Sequence, residues 1–342
     1  MKASTNTKNL ITFSSIYPFN SPRRQTGAPA AECGAMGTVH DIIEARGKKA
    51  ALEADLDRRV VEAAAQYMAD EDSGIGFLYS GWCQAALPHR RLPDGQSWQI
   101  KTERVTLAVE PGLRPGPNGD LVLGGVAYGS RARLIMLYLQ STSLRTSSRE
   151  VELGRSLREW LFRMGIPQGG KSQRDVREQA ERISRCRFTF HVQQGNRVGL
   201  VNQNVVDTAM FVSNGDNGEQ GSLFLETARL SEIFFDLLKK HPVPIEEAAI
   251  RAINNNSVAI DLYAWLAYRL HSLNKPTPVS WTALKAQFGN GVGRMDNFRM
   301  RFLENLRLAL AAYRDARVDV EDRGLILYPS RPPIATKEKA IR

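Results

Sequence analysis

Apolar positions recur along this chain with two distinct periods. From Lys48 to Asp70, Leu52, Leu56, Val60 and the Ala63-Ala64 pair fall three or four residues apart, which predicts a helix with one apolar face. Between Gly74 and Gly129 the pattern changes to β-branched and aromatic runs, Trp98–Val109 and Leu121–Val126. Pro-Asp-Gly at 93–95 and a Pro/Gly-dense stretch, Pro111–Gly119, interrupt them, which predicts several antiparallel strands. Residues 1–37 carry Pro18, Pro22 and Pro29 with no sustained period and read as a disordered arm. Met36 stands just ahead of the patterned region and offers an alternative start.

The remainder states one pattern twice. Arg131–Gln140 is an apolar helix, Ser156–Gly165 a short helix closed by glycine, and Ser172–Arg185 a longer helix. Arg187–Val192 and Arg197–Val201 then flank a Gly-Asn turn and predict a hairpin. In the second copy, Val258–Leu273 is the apolar helix and Ser280–Gly289 the short one. Asn297–Arg314 is the longer helix, and Arg317–Val320 with Gly324–Tyr328 make the hairpin. That order predicts a winged helix-turn-helix, and its recurrence a tandem. The expected fold class is α+β: tandem winged helix-turn-helix domains, the first carrying an N-terminal helix and extra β-strands. The expected divisions are the arm at 1–37, an N-terminal winged-helix domain at 38–243, a C-terminal one at 244–335, and a short basic tail at 336–342.

Each longer helix has a buried stripe and a charged face. In the first, Val176, Ala180 and Ile183 form the stripe; Arg174, Glu178, Glu181 and Arg185 lie opposite, with Lys171 and Arg182 on one flank and Arg177 on the other. In the second, Phe298, Phe302, Leu306 and Leu310 are the stripe; Asn297, Arg301, Glu304 and Arg307 face outward, and Arg294 precedes the helix. Arg and Asn are the side chains that pair bidentately with guanine and adenine edges in a major groove. Arg197 and Arg323, at hairpin tips, suit phosphate or minor-groove contacts. The candidate DNA-binding set is therefore Lys171, Arg174, Arg177, Arg185, Arg197, Arg294, Asn297, Arg301, Arg307 and Arg323. A solvated face explains any one of these charges alone. Two such helices, each third in a winged-helix order, favour DNA.

Composition sharpens this reading. Lys+Arg is 46 and Asp+Glu 36 over 342 residues, a net charge of +10 that favours a polyanionic partner. Hydrophobic residues at 42% and charged residues at 24% exclude a disordered chain. The three cysteines, Cys33, Cys83 and Cys186, never pair as C-x-x-C, so neither a disulfide framework nor a cysteine zinc site is expected. No apolar run reaches the ~18–20 residues a membrane span needs, and a soluble cytoplasmic protein is expected.

One string suggests catalysis. Gly165-Ile-Pro-Gln-Gly-Gly-Lys171-Ser172 fits the phosphate-cradling G-x-x-x-x-G-K-S loop. That loop needs a buried strand before it, whereas Ser156–Met164 has helical spacing, so the glycines read as the turn of the helix-turn-helix. A P-loop NTPase would require saturable ATP binding that depends on Lys171. His40, His89, His191, His241 and His271 are isolated, Asp70–Asp72 reads as an acidic helix end, and Cys83 has no nearby histidine. No enzyme, cofactor or metal is expected.

Several strings resemble plasmid-encoded RepA replication proteins: Tyr128–Leu134, Leu144–Gly154, His241–Ile245, Ala259–Leu270, Pro278–Leu284 and Gln287–Gly289. The resemblance runs from about Thr38 to about Pro333 and leaves out the N-terminal arm. It implies an initiator that binds double-stranded origin DNA, helps open the duplex and recruits host replication proteins, a helicase or its loader. It also implies a homodimer that binds its own promoter. A winged-helix transcription regulator shares every helix argument, and origin-dependent replication of a plasmid lacking its own initiator separates the two.

Overall fold

A computed structural model describes residues 34–70, 74–102, 105–116, 118–194, 197–213 and 223–334. Two helices come first, α1 (Gly34–Glu53), which kinks at Gly47, and α2 (Arg58–Met68). The single helix expected over Lys48–Asp70 is thus divided. The cause is Asp57, whose carboxylate accepts the Arg59 N–H at 2.9 Å and caps α2. α1 also begins at Gly34, ahead of the arm boundary expected at 37; residues 1–33 lie outside the described residues.

The strand-rich stretch contains β1 (Ile75–Tyr79), the short α3 (Ser80–Gln84), β2 (Trp98–Lys101), β3 (Val105–Glu110), β4 (Leu113–Pro115) and β5 (Leu121–Leu123). Pro93–Gly95 makes the expected turn, with the Gln96 N–H donating to the Pro93 carbonyl at 2.9 Å. β4 lies inside the stretch expected to be loop and pairs with β5.

Next come α4 (Gly129–Thr146), β6 (Glu150–Glu152), α5 (Gly154–Arg163), α6 (Gly170–Arg185), β7 (Arg187–Gln194), β8 (Arg197–Asn204), β9 (Val206–Ser213), β10 (Leu223–Leu230) and α7 (Glu232–Lys240). After β11 (Pro242–Glu246) and α8 (Glu247–Ala252), the second series is α9 (Ser257–Arg269), β12 (Thr277–Ser280), α10 (Trp281–Phe288), α11 (Met295–Ala311), β13 (Val318–Glu321) and β14 (Gly324–Leu327). α4, α5, α6, α9, α10 and α11 and the 187–204 and 317–328 hairpins fall where the hydrophobic spacing put them, whereas α3, α7 and α8 were not expected.

Sheet topology corrects one assignment. In the second series the strand before α10 pairs with the later hairpin strand, giving the order β12-β14-β13. The first series reproduces this as β6-β10-β9, with the same antiparallel pairings. The hairpin equivalent to β13–β14 is therefore β9–β10, not the β7–β8 hairpin expected from the sequence. β7 and β8 extend β2 and β3 into a four-stranded sheet, β2-β3-β7-β8.

Two junctions tie distant parts together. α1 and α2 pack on α11: the His40 Nε2 lies 2.9 Å from the Ala311 carbonyl, and Glu44 pairs with Arg314 at 2.5 Å. At the other junction, α4 meets α9 through Arg133 and Asp261, both buried. Arg133 donates from Nε to Oδ1 at 2.7 Å and from Nη2 to Oδ2 at 2.6 Å. Its remaining N–H groups reach the carbonyls of Leu87, Pro88 and Gly129 at 2.7–3.2 Å.

His89 borders that pair, its Nδ1 3.1 Å from the Ser257 hydroxyl and 3.3 Å from Arg133. Burial, then the Arg133 charge, push the imidazole down to about 3. The unfolded imidazole takes a proton near 6.5 that the folded one refuses. This contribution to stability is therefore complete above that value and is lost as pH falls from 6.5 toward 3. Denaturation curves at falling pH should show His89 contributing a slope approaching about 1.4 kcal/mol per pH unit below 6.5. His89→Asn should remove that part of the slope; parallel curves for wild type and variant would rule the assignment out.

Candidate nucleic-acid interface

α11 is seated by aromatic rings. Phe302 packs with Trp281 and Phe288 at centroid distances of 5.8 Å and with Phe298 at 5.3 Å. Phe298, Phe302, Leu306 and Leu310 are all buried, as the 3- and 4-residue spacing predicts. Arg294 occupies the N-cap position, and Arg294, Asn297 and Arg301 are exposed. Asn297 and Arg301 stand one turn apart on the same face. No hydrogen bond or ion pair of either side chain occurs among the described residues, so both can meet a ligand. Arg294 makes an exposed 3.3 Å pair with Asp296, a contact worth little in water.

Arg307 is exposed, as expected, but on another side of α11. Six residues past Arg301, it has turned about 120° away and lines a groove with Asp55, Asp57 and Leu303, against α2. Glu304 likewise lies 3.9 Å from Arg59. The Arg59 hydrogen bond, with a smaller pull from Arg307, holds the Asp57 carboxyl below its ordinary range.

The hairpin beside α11 is fixed by a residue that sequence reasoning passed over. Arg299 lies over the Trp281 ring at 5.2 Å and donates to the Asp322 carbonyl at 3.1 Å. The Trp281 backbone N–H in turn donates to the Arg323 carbonyl at 3.1 Å and its indole N–H to the Glu321 carbonyl at 3.2 Å, while the Arg323 side chain is exposed at the tip. Two arginines two positions apart, Arg299 and Arg301, thus serve opposite ends: one holds the hairpin, the other faces out.

α6 is reached by a tight turn. Gly165 adopts φ +77°, and the N–H groups of Gly165 and Ile166 donate to the carbonyls of Phe162 and Leu161, both at 2.9 Å. These bonds close α5 with a glycine that a β-carbon would strain. The element before the G-x-x-x-x-G-K-S string is therefore a helix. Lys171 and Arg174, in the first turns of α6, are exposed; Arg177 is half-buried.

The second half of α6 is occupied by the protein itself. Arg182, expected on an outer flank, is buried and pairs with Asp94 at 3.0 Å and Glu178 at 2.8 Å, while donating to the Val126 carbonyl at 3.1 Å. Arg185 donates to the Leu113 carbonyl at 2.9 Å, and a β-carbon at Gly112 would lie 2.2 Å from the Arg185 carbonyl oxygen. Gly112 and Leu113, at the start of the β4–β5 hairpin, therefore sit against the end of α6 at Arg185. Arg197 begins β8, and its side chain lies outside the described residues.

Among the described residues, no helix is long and apolar enough to cross a membrane, and no His/Cys/Asp/Glu group could hold a metal ion. The class so defined is an α+β protein with two helix–helix–hairpin units, each presenting an exposed basic helix start. Residues 126–282, from just before α4 into α10, match the family described as plasmid encoded RepA protein. Two crystal structures of domains 2 and 3 of RctB are also similar. A selenomethionine derivative aligns at 12% identity and TM-score 0.47, covering 75% of this chain and 99% of that one. The other aligns at 13% identity and TM-score 0.42, covering 72% and 94%. No curated protein matches the chain.

Proposed function

We propose that this protein is a plasmid replication initiator that binds double-stranded origin DNA through two winged-helix units. The observation that carries the reading is α11. It buries a ring-lined stripe on one side and offers Asn297 and Arg301 unpaired on the other, beside a hairpin held by Arg299. A major groove about 12 Å wide admits such a helix, and these two side chains suit adenine and guanine edges. Arg323 at the hairpin tip and Arg294 at the helix start suit phosphates.

α6 has a different part. With Arg182 and Arg185 engaged by the protein itself and Lys171 and Arg174 exposed in the first turns, α6 suits backbone contacts at a helix start over base reading. The helix α5 ahead of Gly165 supports a turn there in place of a nucleotide loop, and the protein acts without catalysis, cofactor or metal. Recruitment of a host helicase or its loader, and a homodimer acting at its own promoter, belong to the same proposal on the strength of the RepA family. Footprinting the purified protein across the DNA flanking its own gene tests the reading. Protection of discrete repeated sites is expected, and uniform, sequence-independent protection would reject it.

A further inference from the structure

Met300 is the one apolar side chain of α11 that is neither buried nor packed against the core, and it is 57% exposed. Phe298, Phe302, Leu306, Leu308 and Leu310 are buried, and Met295 and Leu303 pack on the core. Met300 follows Asn297 by three residues and precedes Arg301 by one, so Asn297 lies between the two around the helix. The three span an arc of about 100° and an axial length of about 6 Å, close to two base steps. A thioether chain is therefore set among polar side chains proposed to read base edges, where none of the described core residues packs on it.

One base offers an apolar group in the major groove, the C5 methyl of thymine. An unbranched, polarisable methionine can shape itself to such a methyl without an exact fit. We infer that Met300 is a specificity-determining residue, packing on a thymine methyl within one base pair of the pair read by Arg301. This inference rests on the proposed insertion of α11 into a major groove, and it adds a base type that neither Asn297 nor Arg301 selects. Glu304 at the next turn is drawn toward Arg59 and leaves that edge of the helix to Met300.

The test uses the full chain and its footprinted duplex, with each thymine replaced in turn by deoxyuridine, which keeps pairing and loses only the methyl. Wild type should lose about fourfold in affinity per methyl at one or two adjacent positions. Met300→Ala should bind the thymine duplex at least about fourfold more weakly and be indifferent to deoxyuridine there, with an unchanged melting temperature. Arg301→Ala should still sense the methyl. The inference is overturned if Met300→Ala keeps wild-type affinity, or if its deoxyuridine penalties match those of wild type. A wild-type protein that binds no duplex specifically would instead bring down the proposed function, and this inference with it.

Discussion

Arg133→Ala should destabilise the folded chain by about 3–5 kcal/mol. Among the described residues, the guanidinium is the sole ionic partner at hydrogen-bonding distance of a buried carboxylate, Asp261, and also donates to the carbonyls of Leu87, Pro88 and Gly129. Removing it strands a carboxylate that burial already pushes up toward protonation, and takes one donor from each of three carbonyl oxygens. Because the pair joins α4 to α9, the loss should appear as a lower urea midpoint for the whole transition. A double variant, Arg133→Met with Asp261→Leu, should recover part of the loss, since apolar pairs of similar size often replace buried ion pairs at little cost. A loss below about 1 kcal/mol for Arg133→Ala would show that water reaches the pair.

Phe302→Ala should cost about 3–5 kcal/mol by a different route, the cavity left among Trp281, Phe288 and Phe298. The ring is 2% exposed, so nearly all of its area is lost from the core. The neighbouring Arg301→Ala removes an exposed side chain and should change stability by less than about 0.5 kcal/mol. Urea denaturation of both variants separates the buried stripe from the outward face. Equal effects of the two would mean that the helix is rotated from the position described.

Much of the helical framework was legible because apolar spacing survives in sequence: Phe298, Phe302, Leu306 and Leu310 mark the buried side of α11 without any structure. What failed did so for physical reasons. Asp57 divides one expected helix into two because a cap residue can end a periodic run that apolar spacing alone would continue. The hairpin equivalent to β13–β14 was missed because β7–β8 follows α6 directly and has the same local pattern. Only the pairing of β6 with β10, more than 70 residues apart, identifies β9–β10 as its counterpart. Two strand-like runs around the Asn/Gly-rich 214–222 were the available signal.

The candidate interface was half legible. Asn297 and Arg301 follow from helical spacing, whereas the fate of Arg182 and Arg185 depends on Asp94, Val126 and Leu113, residues with no periodic relation to α6. Arg307 stands apart because α2, distant in sequence, brings Asp57 to that flank of α11. The Arg133–Asp261 pair, 128 residues apart in the chain, left no local trace.

The claim that α11 reads base sequence is tested most directly by equilibrium binding of Arg301→Ala to the footprinted duplex over a salt series, beside wild type. If Arg301 pairs with a base, specific affinity should fall by about 1–3 kcal/mol, preference at one position should relax, and thermal stability should hold. Wild-type affinity, sequence preference and salt slope in Arg301→Ala would contradict the claim and leave this face of α11 as solvated surface.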